Sequence, residues 1–305
     1  MSRSAPDPAV RVVAATINYV APGSFVNRRF VAPGVEHNTG RYEAHRVNIH
    51  DGRLVKDRFN LDVNGFVLAA RPTAVRDFFD KDEVERTYPA EVLASVLALT
   101  GASRVAPLGW MIRTSGDLSR HQHQGPGYTH RGGVQPPAGE AHVDFTPARA
   151  EPLARAIYEK TFPDGKGFSR FIASSLWRAF SDPPQDCPLA VCDAGSVGRD
   201  EGIPNTMFVV DRLPDEQTML GPMENEKIAP AAAIFHFNPA HRWWYFSGMT
   251  RDEVLMFKFH DSDTAKALRT PHTAFLDPSF ANPKTRTSIE FRTIAYFEYG
   301  LKYAQ

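Results

Sequence analysis

From residue 101 onward the chain reads mostly as short strands set off by turn residues. Trp110-Met111-Ile112-Arg113 reads as a strand, as do residues 170–180, 188–193, 206–211, 231–238, 242–247, 253–260 and 286–298. Residues 11–22 form another, rich in β-branched side chains and closed by Pro22-Gly23. Residues 40–70 alternate around Asp51-Gly52, as a hairpin or meander would. Only two stretches show helical spacing. One is Thr73–Leu99, read as two helices parted near Tyr88-Pro89, and the other is Pro152–Lys160. The expected fold is mainly β: a double-stranded β-helix (jelly roll) with N-terminal and flanking helices, closed enough to hide its strand edges. We read residues 1–305 as a single domain, with 1–105 supplying strands and helices packed on a jelly-roll core at 106–305. A Gly/His/Pro-rich loop at 116–139 is too long for a plain connection and reads as a segment covering a site.

Composition excludes several classes. Hydrophobic residues make up 42% and charged residues 23%, ordinary for a globular chain with a sizeable core. Lys plus Arg and Asp plus Glu balance at 35 each, so bulk charge draws the chain to neither nucleic acid nor an anionic membrane. Met1 to Val10 lacks an apolar segment of secretory type, and no run of about 18 apolar residues exists. The two cysteines, Cys187 and Cys192, are too few for a disulfide framework and poorly spaced for zinc. The expected location is cytoplasmic. A small-molecule substrate and O2 are the expected partners, with no nucleic acid and no membrane, and a homodimer is compatible with the sequence.

Chemistry concentrates at His142-Val143-Asp144. On a strand, residues i and i+2 share a face, so an imidazole and a carboxylate converge on one point. A second imidazole from a distant strand would complete a facial triad of two histidines and one carboxylate, which leaves open positions on Fe(II). His-x-Asp alone is weak; the distal His272, in Pro271-His272-Thr273, strengthens it. A 2-oxo diacid chelating such a metal leaves its far carboxylate in need of a fixed cation, and arginine binds carboxylates in two-point fashion. Arg286 and Ser288 share a strand face and could offer a guanidinium and a hydroxyl together, while Arg292, of the same parity, is the competing anchor.

At these residues the sequence resembles a fungal and bacterial family of secondary-metabolite oxygenases. That family includes the hydroxylase component of cephamycin 7α-methoxylation and gibberellin-desaturase-like enzymes of fungal gene clusters. The landmarks run in order from near 140 to 298: His142-Val143-Asp144-Phe145-Thr146, Leu176-Trp177-Arg178, Asp186-Cys187-Pro188, His241-Arg242-Trp243-Trp244, Pro271-His272-Thr273 and Arg286-Thr287-Ser288-Ile289-Glu290-Phe291-Arg292. Two positions depart from the family pattern: Ser175 stands where Asn is usual, and Ala179 where Pro is usual. The resemblance implies an Fe(II)/2-oxoglutarate-dependent dioxygenase that hydroxylates, desaturates or ring-closes a small natural-product intermediate, amino-acid-derived substrates included.

Around this centre, Arg178 is read either as a further contact to a substrate or co-substrate carboxylate or as one half of a structural ion pair. Arg113 hints at an acidic substrate group. Lys258 with Asp261 reads as a structural pair, and Trp243-Trp244-Tyr245 as packing. His121, His123 and His130 match no closed metal site. Other classes are an iron oxygenase that uses no 2-oxoglutarate, which would not need Arg286 and Ser288, and a non-catalytic jelly-roll binding protein, which would have no reason to keep the triad. A nucleoside-binding methyltransferase lacks its Gly-rich strand-to-helix turn, since Asp193–Gly198 has no helix after it.

Overall fold

Strict alternation opens the first strand: Val13, Ala15, Ile17 and Tyr19 are buried, and the residues between them are exposed. One face of that strand therefore looks into a core and the other into solvent. The computed structural model describes residues 10–32, 35–116, 131–227 and 229–300. In chain order the elements are β1 (Val12–Val20), β2 (Arg28–Ala32), β3 (Val35–Asn38), β4 (Tyr42–Asp51), β5 (Phe66–Ala70), α1 (Lys81–Thr100), β6 (Arg104–Thr114), β7 (Arg131–Gln135) and β8 (His142–Val143). There follow α2 (Pro147–Thr161), β9 (Phe168–Ala179), β10 (Leu189–Cys192), β11 (Ile203–Val209), α3 (Glu216–Leu220) and β12 (Ala231–Ile234). The chain ends with β13 (Trp243–Tyr245), β14 (Glu253–Asp261), β15 (His272–Ala274) and β16 (Thr287–Glu298).

These strands form two sheets. The larger runs β1-β4-β13-β10-β15-β8-β12-β11-β2-β3, and the smaller runs β5-β14-β9-β16-β6-β7. Between them lies the main core. Ile17, Tyr19, Ile49 and Trp243 face it from the larger sheet, and Phe171, Trp177, Phe257 and Tyr296 from the smaller. A second core lies on the other face of the smaller sheet, where α1 packs Val84, Tyr88, Val92 and Val96 against Leu176, Ile289 and Phe291. This is the two-sheet layout of a jelly roll.

The structure corrects the sequence expectation in four places. The sheets do not close on themselves: β1, β3, β5 and β7 remain end strands among the described residues. Residues 40–70 are no hairpin, because β4 pairs with β1 and β13 while β5 pairs with β14 in the other sheet; a 3-10 turn at Arg53–Arg58 carries the chain across. Four of the larger sheet's ten strands come from the first 105 residues, so that part is woven into the sheet rather than laid upon it. Finally, α1 is one helix that runs through Pro89. An internal proline costs about 3 kcal/mol. The fully buried Val84, Tyr88, Val92 and Val96 recur every fourth residue on one face, and each contributes about 1.5–3 kcal/mol, so packing overrides the break. The helix starts later than expected because Asp80 caps it, accepting from the backbone N–H groups of Asp82 and Glu83.

Candidate metal centre

Two of the shortest strands place the candidate metal-ligating side chains. β8 and β15 pair antiparallel with His142 directly opposite His272, and the two ring centroids lie 4.4 Å apart. Asp144, two residues past His142, turns to the same side. Its Oδ1 lies 3.5 Å from His142 Nε2 and 3.7 Å from His272 Nε2. All three ligand atoms fall within 4.8 Å of one another. Cis ligands of an octahedral ion with bonds near 2.1 Å lie about 3 Å apart, so a slight contraction would close the set around one ion.

The backbone orients both rings. His142 Nδ1 lies 2.9 Å from the Glu140 carbonyl and His272 Nδ1 lies 3.2 Å from the Thr270 carbonyl. A carbonyl can only accept, so each Nδ1 carries the proton and each Nε2 turns a lone pair toward the centre. Thr270 is itself held, its hydroxyl donating to the Gly65 carbonyl at 2.9 Å. Gly65 takes a positive φ of 83°, and a Cβ there would run into that hydroxyl. Burial lowers the pKa of His272 and keeps it neutral. Burial works against the charge on Asp144, yet Arg292 and the two imidazoles hold its carboxyl well below the usual carboxylate range. Burial works against a charge on His142, yet the hydrogen bond to Asp144 and the charge of Glu140 raise its pKa, so an ion binding there displaces a proton and leaves the neutral imidazole that Fe(II) takes.

Facing this triad is the inner side of the smaller sheet. Along β16 the residues preceding and within the strand alternate, and Arg286, Ser288, Glu290 and Arg292 share the inward parity beside Trp177 of β9 and Arg113 of β6. Arg286 is 1% exposed, its guanidinium lies 5.8 Å from the Trp177 ring centroid, and its Nε and Nη2 have no hydrogen-bond partner among the described residues. The Ser288 hydroxyl is buried and equally unpartnered. Burial pushes the Arg286 pKa down to about 10. An unpaired cation away from water is costly, and an anion entering beside it removes that cost. A cavity of about 310 Å³ joins Arg286 to His142 and His272, walled by Trp177 and Phe257. A larger cleft of about 740 Å³ opens on the other side of the triad, lined by His142, Asp144, Phe145, Asn205, Met207 and Arg292.

The remaining sequence candidates sort by strand face. Arg292 reaches the centre, its Nε 2.6 Å from Asp144 Oδ2 and its Nη2 2.6 Å from Glu290 Oε1. Arg178 does not. Its neighbour Trp177 points inward, so Arg178 points into the second core, where it donates to the Tyr88 hydroxyl at 3.1 Å, to the Arg71 carbonyl at 2.8 Å and to the Arg251 carbonyl. The role read for it as a co-substrate contact is therefore corrected, and its partners are backbone carbonyls and a hydroxyl rather than an acid. Arg113 is taken up by Glu290, with Nε 3.0 Å from Oε2. Glu290 went unread in the sequence although it shares the parity of Arg286, Ser288 and Arg292, which was the available signal. Ser175 lies level with Arg292 across the β9–β16 pair and is buried with its hydroxyl unpartnered. Lys258 and Asp261 do form an ion pair, shared with Arg170 and Asp62. Trp243 is core, donating to the Tyr19 hydroxyl. Both cysteines are buried free thiols. His121, His123 and His130 lie outside the described residues.

Comparison with known proteins gives the family. The family model described as an oxidoreductase/YMDC permease-like domain matches residues 17–296. The hydroxylase/desaturase CTB9 of Cercospora beticola is 32% identical over 266 residues, covering 85% of this chain and 78% of that one. The Fe(II)/2-oxoglutarate-dependent dioxygenase nvfI of Aspergillus novofumigatus is 28% identical over 272 residues, covering 87% of each. The chain belongs to this fungal oxygenase family. The solved structure of the iron and alpha-ketoglutarate-dependent endoperoxidase NvfI superposes with a TM-score of 0.75 at 24% identity, over 94% of this oxygenase and 98% of that chain. That likeness fixes the jelly-roll fold. No helix among the described residues of the oxygenase is long and apolar enough to cross a membrane.

Proposed function

We propose that His142, Asp144 and His272 hold Fe(II), and that Arg286 with Ser288 receives the distal carboxylate of 2-oxoglutarate. The enzyme is an Fe(II)/2-oxoglutarate-dependent dioxygenase, and it hydroxylates, desaturates or ring-closes a small natural-product intermediate with O2. One observation carries the assignment of residues: a buried arginine with two unpartnered nitrogens shares a small cavity with both histidines of the triad. An oxygenase that used no 2-oxoglutarate would leave that cation buried without purpose.

Bound Fe(II) supplies the activation of O2 that is coupled to oxidative decarboxylation of 2-oxoglutarate. Everything else falls to the chain. The Glu140 and Thr270 carbonyls hold the protons on Nδ1 of both histidines, so Nε2 of each ring is the nitrogen turned to the ion. Arg286 orients the co-substrate by a charge-assisted contact made in a water-poor pocket, where such contacts are strong. Trp177 and Phe257 exclude water from that pocket. The substrate enters the larger cleft, where Phe145, Met207 and Ile234 offer apolar surface and Asn205 a polar contact. The acidic substrate group read from Arg113 and Arg178 loses its basis, since Glu290 engages one and the other lies on the opposite face. The names hydroxylase/desaturase and endoperoxidase among relatives support oxidative chemistry on carbon without selecting one outcome.

We further read residues 1–305 as one oxygenase domain acting in the cytoplasm, supported by two reduced, buried cysteines. A homodimer is tested by light scattering. The functional test is anaerobic: protein loaded with Fe(II) is given 2-oxoglutarate, and the weak visible band of keto-acid chelation is recorded beside His142→Ala and Arg286→Met. A band in the parent that is lost in the first variant and needs far more 2-oxoglutarate in the second supports the assignment. Iron binding without the band would favour an oxygenase that needs no keto acid, and no iron binding would sink the triad.

A further inference from the structure

A row of alternating charges crosses the space between the two sheets and ends on the metal-binding carboxylate. Arg113, on β6, donates from Nη1 to the Pro136 carbonyl at 2.9 Å and from Nε to Glu290 Oε2 at 3.0 Å. The other oxygen of Glu290 accepts from Arg292 Nη2 at 2.6 Å. Arg292 Nε then lies 2.6 Å from Oδ2 of Asp144, whose Oδ1 is the oxygen facing both imidazoles. The row reads plus, minus, plus, minus and is neutral as a whole. Burial opposes the charge on Glu290, but Arg113 and Arg292 hold its carboxyl below the usual carboxylate range, so it is anionic beside the pocket.

From this geometry we propose that Arg292 and Glu290 are positioning residues that hold Asp144 to one-oxygen ligation. The inference rests on the reading of the triad as an Fe(II) site. A carboxylate free to rotate can grip an ion with both oxygens and consume a further coordination position. A triad whose work needs two positions for a chelating keto acid and one for O2 has none to spare. A guanidinium fixed on Oδ2 withholds that oxygen. Alone, Arg292 would also set an unbalanced positive charge next to a dication, and Glu290 cancels it while bracing the side chain. Glu290 has a second effect. Arg113, Arg286 and Arg292 all sit near a pocket meant for a dianion, and Glu290 engages two of them. Arg286, with Nε and Nη2 unpartnered, is then the anchor that remains, which fixes the direction in which the co-substrate lies.

The test uses the full chain under anaerobic conditions, with Fe(II) alone and then 2-oxoglutarate as probes. Parent, Arg292→Met, Arg292→Lys and the isosteric Glu290→Gln are compared after thermal unfolding has confirmed that each is folded. Loss of a group that orients a metal ligand costs about 10–100-fold in metal affinity. Arg292→Met is expected to weaken Fe(II) by that factor and to shift the keto-acid band, reporting altered ligation. Arg292→Lys keeps the charge without the planar fork and recovers part of both. Glu290→Gln shifts the band in the same direction with a smaller loss of affinity. A purely structural role would alter unfolding and leave the band in place. An unchanged band and affinity in folded Arg292→Met overturns the proposal, and so does tighter Fe(II) binding, which would make Arg292 a mere stand-in for the ion. A parent protein that binds no Fe(II) would instead overturn the triad itself, an outcome the same titration separates from the others.

Discussion

The two faces of the smaller sheet each bury an arginine almost completely, and they treat it in opposite ways. On the outer face Arg178, 1% exposed, donates to Tyr88, Arg71 and Arg251, so its charge is spread over a hydroxyl and two carbonyls. On the inner face Arg286, equally buried, keeps Nε and Nη2 without partners. Position differs by very little, since Arg178 sits directly across from Ile289 on the neighbouring strand, three residues along from Arg286. A buried cation with every nitrogen engaged is architecture, and one with nitrogens left over has donors to offer an anion.

The sharpest way to break this contrast is to remove each arginine in turn. Arg286→Met should cost 2-oxoglutarate about 3 kcal/mol, roughly a hundredfold in affinity, because charge-assisted contacts are lost. Its melting temperature should hold or rise, since an unpaired buried cation has been removed. Arg178→Met should do the reverse: about 3 kcal/mol of stability lost in urea unfolding, as three buried acceptors lose their donor, with 2-oxoglutarate affinity of the folded protein unchanged. If Arg178→Met instead weakened the co-substrate, the division between the faces would fall.

Smaller effects sharpen the picture. Gly65→Ala should cost about 2 kcal/mol, from a left-handed backbone and the pressure of a new Cβ on Thr270, and should weaken Fe(II) as well because the Thr270 carbonyl orients His272. An ordinary loop glycine would affect folding alone. His260, on β14, extends the same logic to an imidazole: it stacks on Phe171, its Nδ1 has no partner, and burial pushes its pKa down to about 4. Above about pH 6.5 it is neutral folded or unfolded. Between pH 6.5 and 4 the unfolded chain takes a proton that the folded chain refuses, so stability falls as pH falls through that window. His260→Gln should flatten the fall by about 1–2 kcal/mol, read as the difference in urea midpoints between pH 7 and 4.5.

Much of this was legible in the residues. His142 and Asp144, at i and i+2, could share a face only on a strand, and Arg286, Ser288 and Arg292 announced one face by the same rule. The same parity points to Glu290, but a carboxylate between Arg286 and Arg292 looks out of place in the sequence until its two arginine partners, Arg113 and Arg292, are seen. Arg178 is hard to place for a related reason: in Trp177-Arg178 one residue must face inward, and nothing local says which. That choice is made across the sheet, by the Tyr88 hydroxyl on a helix ninety positions away. Pro89 shows the limit from the other side. A local signal to break was outvoted by apolar spacing that matters only once a sheet is there to receive it.

The pairing of β8 with β15 carries one more consequence. These strands have two and three residues, and their ladder rests on a single pair of opposed histidines drawn from positions 142 and 272. So little backbone is weak glue for closing so long a loop. An ion gripped by both rings would act as a removable cross-link, adding about 2.7 kcal/mol when free metal stands a hundredfold above its dissociation constant. Enzyme lifetime would then follow iron supply: chains starved of the metal would open along this seam first and be cleared by proteolysis, so that a cell short of iron would hold less of the protein as well as less of its activity.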